Sequence, residues 1–148
     1  MALEIERKFL VKGVFEHLAE KKIRIKQCYF STDPGRIIRL RITDRKGIVT
    51  FKSNIVAESF SRNEWEFEIP LKNAEEMIKI CLPGTIDKTR YYIPAGRHIF
   101  EVDVFHGKNE GLVIAEIELS SETEEFERPE WLGEEVTGKA EYYNSNLI

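Results

Sequence analysis

Residues of one charge sign recur in this chain in pairs separated by a single residue. Glu4 and Glu6 precede Lys8, Arg39 stands with Arg41, Lys88 with Arg90, and Glu101 with Asp103. Arg62 leads into Glu64 and Glu66, Lys52 follows Thr50, and Glu116 is matched by Glu118. Side chains two apart on a β-strand share a face, so each pair presents its charges together. Clustered carboxylates without His or Cys favour hard divalent ions, Mg²⁺ or Mn²⁺, over zinc or copper. Arg-x-Arg and Lys-x-Arg supply the forked and point-charge donors that phosphate oxygens accept, each charge-assisted bond being worth about 1.5 to 3 kcal/mol. A ligand that needs both sets is a linear polyphosphate, whose oxygens take the cations while metals bridge it to the acids. Catalysis on such a ligand consists mostly of positioning and charge neutralisation.

The elements that must position these charges read as β-strands. Segments 2–11, 23–31, 36–43, 47–53, 61–69, 85–93, 97–106 and 112–120 place apolar, β-branched or aromatic residues at every second position. Asp33-Pro34-Gly35, Asp44-Arg45-Lys46-Gly47 and Gly107-Lys108-Asn109-Glu110-Gly111 are turn sequences between them, which favours antiparallel hairpins. Eight long strands close most readily into a barrel, which removes their edges. The expected fold is therefore mainly β with a few helices (α+β): a closed eight-stranded antiparallel β-barrel, or tunnel, with a charged lumen, formed by one domain over 1–148. An ordinary wet face mixes Ser, Thr, Asn and Gln with its charges; these faces are nearly all ionic, which points them inward. Ions in a lumen lose several kcal/mol of solvation each unless paired or hydrated, so the space must hold water. Helices are expected over 14–22, between Pro70 and Pro83 with Asn73 as cap and Ala74, Met77, Ile78 and Cys81 on one face, and within 121–135.

Composition narrows the function further. The 148 residues carry 22 Lys and Arg against 26 Asp and Glu, a net charge of −4, which disfavours nucleic acid as a partner. No apolar run approaches a membrane span, and the charged N-terminus MALEIERKFLV predicts no signal peptide, so a cytoplasmic location and no membrane partner are expected. Cys28 and Cys81 lack paired spacing and read as reduced, partly buried thiols; His17, His98 and His106 lack zinc spacing. Gly84-Thr85 and Gly138-Lys139 do not make a phosphate-binding P-loop. Edge strands or rim aromatics leave a homodimer possible.

The ordered set Glu4-Ile5-Glu6-Arg7-Lys8, Arg39-Leu40-Arg41, Thr50-Phe51-Lys52, Glu64-Trp65-Glu66, Lys88-Thr89-Arg90 and Glu116-Ile117-Glu118 resembles the CYTH family, the triphosphate tunnel metalloenzymes, in its short bacterial form. The resemblance spans nearly the whole chain. It implies an eight-stranded tunnel that hydrolyses inorganic triphosphate to orthophosphate and pyrophosphate with Mg²⁺ or Mn²⁺. Lys8, Arg39, Arg41, Lys52, Lys88 and Arg90 would contact phosphate, and Arg62, on the same face as the acids beside it, is expected to bind substrate with them. Glu4, Glu6, Glu64, Glu66, Glu116, Glu118 and Asp103 would stand on the metal side. Tyr29, in Gln27-Cys28-Tyr29, would accept a proton in concert with Lys88. Lys139-Ala140-Glu141 reverses the family's usual order of charges near the C-terminus. Adenylate cyclisation, nucleoside or thiamine triphosphate hydrolysis, and polyphosphate binding without turnover are the alternatives on the same fold.

Overall fold

Period-two alternation sets the architecture. In the computed structural model, which describes residues 2–53 and 61–148, the strands are β1 (Ala2–Val11), β2 (Lys21–Ser31), β3 (Ile37–Ile42), β4 (Lys46–Lys52), β5 (Ser61–Pro70), β6 (Ile86–Ala95), β7 (His98–Phe105), β8 (Val113–Glu118) and β9 (Leu132–Glu135). All pairings among the described residues are antiparallel. The order β5-β4-β3-β2-β6-β7-β8-β1 returns on itself through a β5–β1 pairing, with Ala2 opposite Glu64 and Glu4 opposite Arg62. The eight expected strands thus form a closed ring. β9 lies beside β1, where Phe9 faces Glu135 and Val11 faces Leu132.

Alternation sends the two halves of the sequence pattern to opposite sides of this ring. Most of the apolar core is outside it. Ile5, Phe9, Phe100, Val102, Ala115 and Ile117 form one buried cluster with Phe15, Trp131 and Leu132 from the segments that cover them. A second cluster joins Cys28 and Leu40 to Ala74 under α1 (Leu71–Met77), with Met77, Ile78 and Cys81 packed against it as the sequence predicts. Gly47 permits that contact, since a Cβ there would stand 2.4 Å from the Ala74 Cβ.

Several expectations need correction. The helix begins at Leu71, two residues before Asn73; Pro70, at φ −58°, occupies the cap position without a side-chain cap bond. Residues 14–22 hold only a 3₁₀ turn, Glu16–Leu18, because Phe15 is drawn against Tyr91 and Trp131, while Lys21 and Lys22 already belong to β2. The 121–135 segment contains no helix; Phe126 and Trp131 anchor it separately to the outer core, and it ends in β9. Cys28 and Cys81 are disulfide-bonded, not free thiols. Their sequence separation of 53 gives no hint of this; the Leu82 N–H donates to the Tyr29 carbonyl at 2.8 Å, which lays the segment after α1 beside β2 and leaves the two Cα atoms 6.1 Å apart.

Candidate active site

The inward side chains enclose a cavity of about 220 Å³. β1 supplies Glu4, Glu6 and Lys8, β3 supplies Arg39 and Arg41, β4 supplies Lys52, and β5 supplies Arg62, Glu64 and Glu66. Arg90, Glu101, Glu116 and Glu118 complete the ionic wall from β6, β7 and β8, and Tyr29 reaches it from β2. Cross-strand register accounts for this convergence, because partners in an antiparallel ladder share a face: Lys8 lies opposite Glu116, Glu6 opposite Glu118, Lys52 opposite Glu64, and Arg90 opposite Asp103.

Two sequence-predicted residues lie behind the wall instead of on it. Lys88 and Asp103 are fully buried and meet at 2.8 Å, while Arg90 forks onto both Asp103 oxygens at 2.7 and 2.9 Å. Burial works to raise Asp103, but Arg90 and Lys88 hold its pKa at about 2. Burial, with Arg90 and Arg41 nearby, pulls Lys88 down to about 7 despite Asp103. The amine therefore gains and loses a proton near neutrality.

Most of the cations already have acidic partners. Lys52 reaches Glu4 at 3.0 Å and Glu64 at 3.4 Å, Arg62 reaches Glu4 at 3.2 Å, and Lys8 is 3.6 Å from Glu116. Arg39 and Arg41 differ. Arg39 is buried, approaches Glu66 only at 4.0 Å, and its Nε has no hydrogen-bond partner among the described residues. Arg41 donates to the neutral Gln27 Oε1 at 3.1 Å, and burial together with Arg39 and Arg90 lowers its pKa to about 10. A buried donor without an acceptor costs about 1 to 3 kcal/mol, so this wall is built to receive an anion.

The acids are crowded in a complementary way. Glu4 shares a hydrogen bond with Glu64, and Glu6 with Glu116. Burial and the Glu4 contact push Glu64 up to about 7. Burial, Glu116 and Glu4 raise Glu6 well above the carboxylate range, whereas Lys52 and Arg62 hold Glu4 far below it against the effect of burial. Carboxylates that must share protons are groups a divalent cation would bridge in their place. Among the described residues no set of three acidic, His or Cys groups is gathered around one point. A divalent ion held here would take one or two of these carboxylates, with water and phosphate oxygens completing its shell. The charge count agrees: seven carboxylates and six cations line the cavity among the described residues, so an added polyanion needs further positive charge.

Sequence reasoning placed Glu101 with Asp103 on the ionic inward face but gave Glu101 no metal or phosphate role, and it missed one whole end of the site. Ile37, Ile86, Phe105 and Ile114 sit two residues along from Arg39, Lys88, Asp103 and Glu116, in the same inward rows, and pack with Tyr29. Leu112, Tyr142, Leu147 and Ile148 cover this apolar end. The C-terminal segment also places Tyr143, Asn144 and Ser145 on the cavity. Lys139 and Glu141 are exposed and do not line it.

Comparison with known proteins gives concordant results. The model of the CYTH domain matches residues 2–146. An inorganic triphosphatase of Acetivibrio thermocellus is 42% identical, covering 100% of this chain and 94% of its own. Another, from Nitrosomonas europaea, is 36% identical over 97% of this chain and 95% of its own. A solved crystal structure of an inorganic triphosphatase superposes with a TM-score of 0.69 at 32% identity, covering 97% of this chain and 95% of that one. A Hippeastrum protein described as a putative adenylyl cyclase with a dominant triphosphatase activity shares the fold, with a TM-score of 0.65 at 16% identity, over 80% of each chain.

Proposed function

The chain belongs to the CYTH domain family, and from that premise we propose that it is a divalent-metal-dependent hydrolase of inorganic triphosphate. The observation that carries this reading is the unanswered pair of guanidinium groups on β3, Arg39 buried and Arg41 partly so. Arg39, with its orphaned Nε, and Arg41, with no carboxylate at ion-pair distance among the described residues, face the cavity of about 220 Å³ lined by charge. Among the described residues the lining is mostly ionic, and repeated phosphates satisfy Lys8, Arg39, Arg41, Lys52, Arg62 and Arg90 together.

Glu4, Glu6, Glu64, Glu66, Glu116 and Glu118 would hold Mg²⁺ or Mn²⁺. When bound, the ion neutralises phosphate charge and makes water a stronger nucleophile. The chain's own residues do the rest. The Arg and Lys side chains fix the phosphate row and take up the charge that shifts to the leaving pyrophosphate. As water attacks the terminal phosphorus and the bridging P–O bond breaks, Tyr29 Oη on the cavity wall takes the water's proton and gives up its own phenolic proton to the uncharged Lys88 amine, which burial brings down to about 7. Asp103, with both oxygens occupied by Arg90 and Lys88, serves to hold those two cations in place and is not assigned to the metal.

No helix among the described residues is long and apolar enough to cross a membrane. A cytoplasmic location belongs to the same proposal and must be reconciled with the Cys28–Cys81 disulfide, since a reducing compartment favours thiols. Purified protein incubated with tripolyphosphate and Mg²⁺ or Mn²⁺ should release orthophosphate and pyrophosphate, and should lose that activity in chelator. Release of cyclic AMP from ATP with tripolyphosphate untouched would replace hydrolysis by cyclisation, and tight binding without turnover under either metal would leave a binding module.

A further inference from the structure

Gln27 and Asn144 carry no role in the reaction as described above, yet they join its two proton-handling residues. The Arg41 guanidinium possesses only donors. Arg41 Nε gives its hydrogen to Gln27 Oε1 at 3.1 Å, and this fixes which way the buried carboxamide points. Gln27 Nε2 must then face Tyr29 Oη, at 3.0 Å, and Asn144 Oδ1, at 3.2 Å. From the other side Lys88 Nζ donates to the same Asn144 Oδ1 at 2.8 Å. Arg41 fixes the Gln27 carboxamide, and the Gln27 Nε2 donor in turn fixes that of Asn144, so neither amide is free to flip.

We propose that Asn144 is a positioning residue for the reaction, delivered into the barrel by the C-terminal segment to hold Lys88 and, through Gln27, Tyr29 in one fixed arrangement. The inference rests on the roles proposed above for Tyr29 and Lys88. Because Tyr29 Oη accepts the Gln27 hydrogen, that donor fixes where the oxygen sits on the cavity wall, from which it meets the attacking water. Asn144 itself is anchored on both sides. Tyr142 and Leu147 are packed into the apolar end beside Tyr29, Asn109 Nδ2 donates to the Leu147 carbonyl at 2.6 Å, and Asn146 Nδ2 to that of Ala140 at 2.7 Å. The tail is therefore part of the catalytic wall, and its side chain sets the geometry of groups more than fifty residues away in sequence.

The test is steady-state tripolyphosphate hydrolysis with Mg²⁺ by the full-length chain carrying Asn144→Leu, Tyr29→Phe, or both, each checked by thermal melting. Misplacing a proton-handling group by a fraction of an ångström to an ångström costs up to about a hundredfold. Asn144→Leu should lower kcat about tenfold to a hundredfold with KM unchanged, and should add less than about threefold in the Tyr29→Phe background, because both act on one group. Asn144→Ala is measured by the same criteria if the leucine variant does not fold. Losses that multiply in the double variant, or a rise in KM alone, overturn the inference, as does an unaffected Asn144 variant beside an impaired Tyr29→Phe. Wild-type turnover by Tyr29→Phe instead overturns the parent assignment of Tyr29, and this inference falls with it.

Discussion

Replacing Arg39 by alanine separates what the protein needs from what its ligand needs. The guanidinium is buried, its Nε is unpaired among the described residues, and its protein contacts are loose: Thr50 Oγ1 at 3.3 Å and Glu66 at 4.0 Å. Folding therefore gains little from it, and deletion removes a buried charge that lacks a tight partner. The melting temperature should stay within a few degrees of the parent protein. A triphosphate, in contrast, loses a two-pronged contact. Two charge-assisted bonds at about 1.5 kcal/mol each amount to about 3 kcal/mol, or roughly a hundredfold in affinity. Orthophosphate release measured across a tripolyphosphate series with saturating Mg²⁺ should show KM raised by about that factor, with a smaller fall in kcat. Arg39→Lys should fall between the two, since an ammonium restores charge without the fork. Unchanged KM and kcat in a folded Arg39→Ala protein would refute the assignment of this wall to phosphate.

Glu6→Ala should abolish turnover while leaving the fold as stable as before or more so, because burial and its acidic neighbours already disfavour the Glu6 carboxylate; turnover near the parent rate at low metal would remove Glu6 from the metal side. A second expectation concerns pH. Glu64 titrates near 7, above the ordinary carboxylate range, so the stability its protonated form confers is complete below about pH 4.5 and is lost as pH rises through 7. A divalent ion takes the proton's place, and the melting-temperature increase produced by Mn²⁺ should grow between pH 6 and 8; an increase independent of pH would contradict the shared-proton description of Glu4 and Glu64. Reducing the Cys28–Cys81 bridge, or substituting Cys81→Ser, should cost about 4 kcal/mol of stability on loop-closure grounds for a separation of 53 residues, as read by urea unfolding. Two thiols titratable in the native protein would show that the bridge does not form.

Much of the site was legible because a strand's period is two. Glu4, Glu6 and Lys8 alternate with Ile5 and Phe9, and once eight such strands close, the direction of every charge follows. Arg7 broke that rhythm for a reason the local pattern does not contain: it lies on the apolar side and forks onto Glu135 of β9, 128 residues away, at 2.7 and 2.5 Å. The apolar end was hidden by the same alternation that revealed the ions. Ile37 and Ile114 continue rows begun by Arg39 and Glu116, and no local signal marks where a row turns from wet to dry. Asn144 and Cys81 matter only through tertiary contact, with Lys88 and Cys28 respectively, so spacing carried no trace of either. The helix expected at 14–22 failed because packing of Phe15 against Tyr91 and Trp131 outweighs a weak helical preference.

The most direct measurement is a crystal structure of the protein with tripolyphosphate and Mn²⁺, using the anomalous signal to find the metal. The account predicts a phosphate row inside the ring, within bonding distance of Arg39 and Arg41, and manganese between that row and the Glu4–Glu64 and Glu6–Glu116 carboxylates. Phosphate and manganese found only on the outer surface, with the inward ion pairs undisturbed, would contradict it.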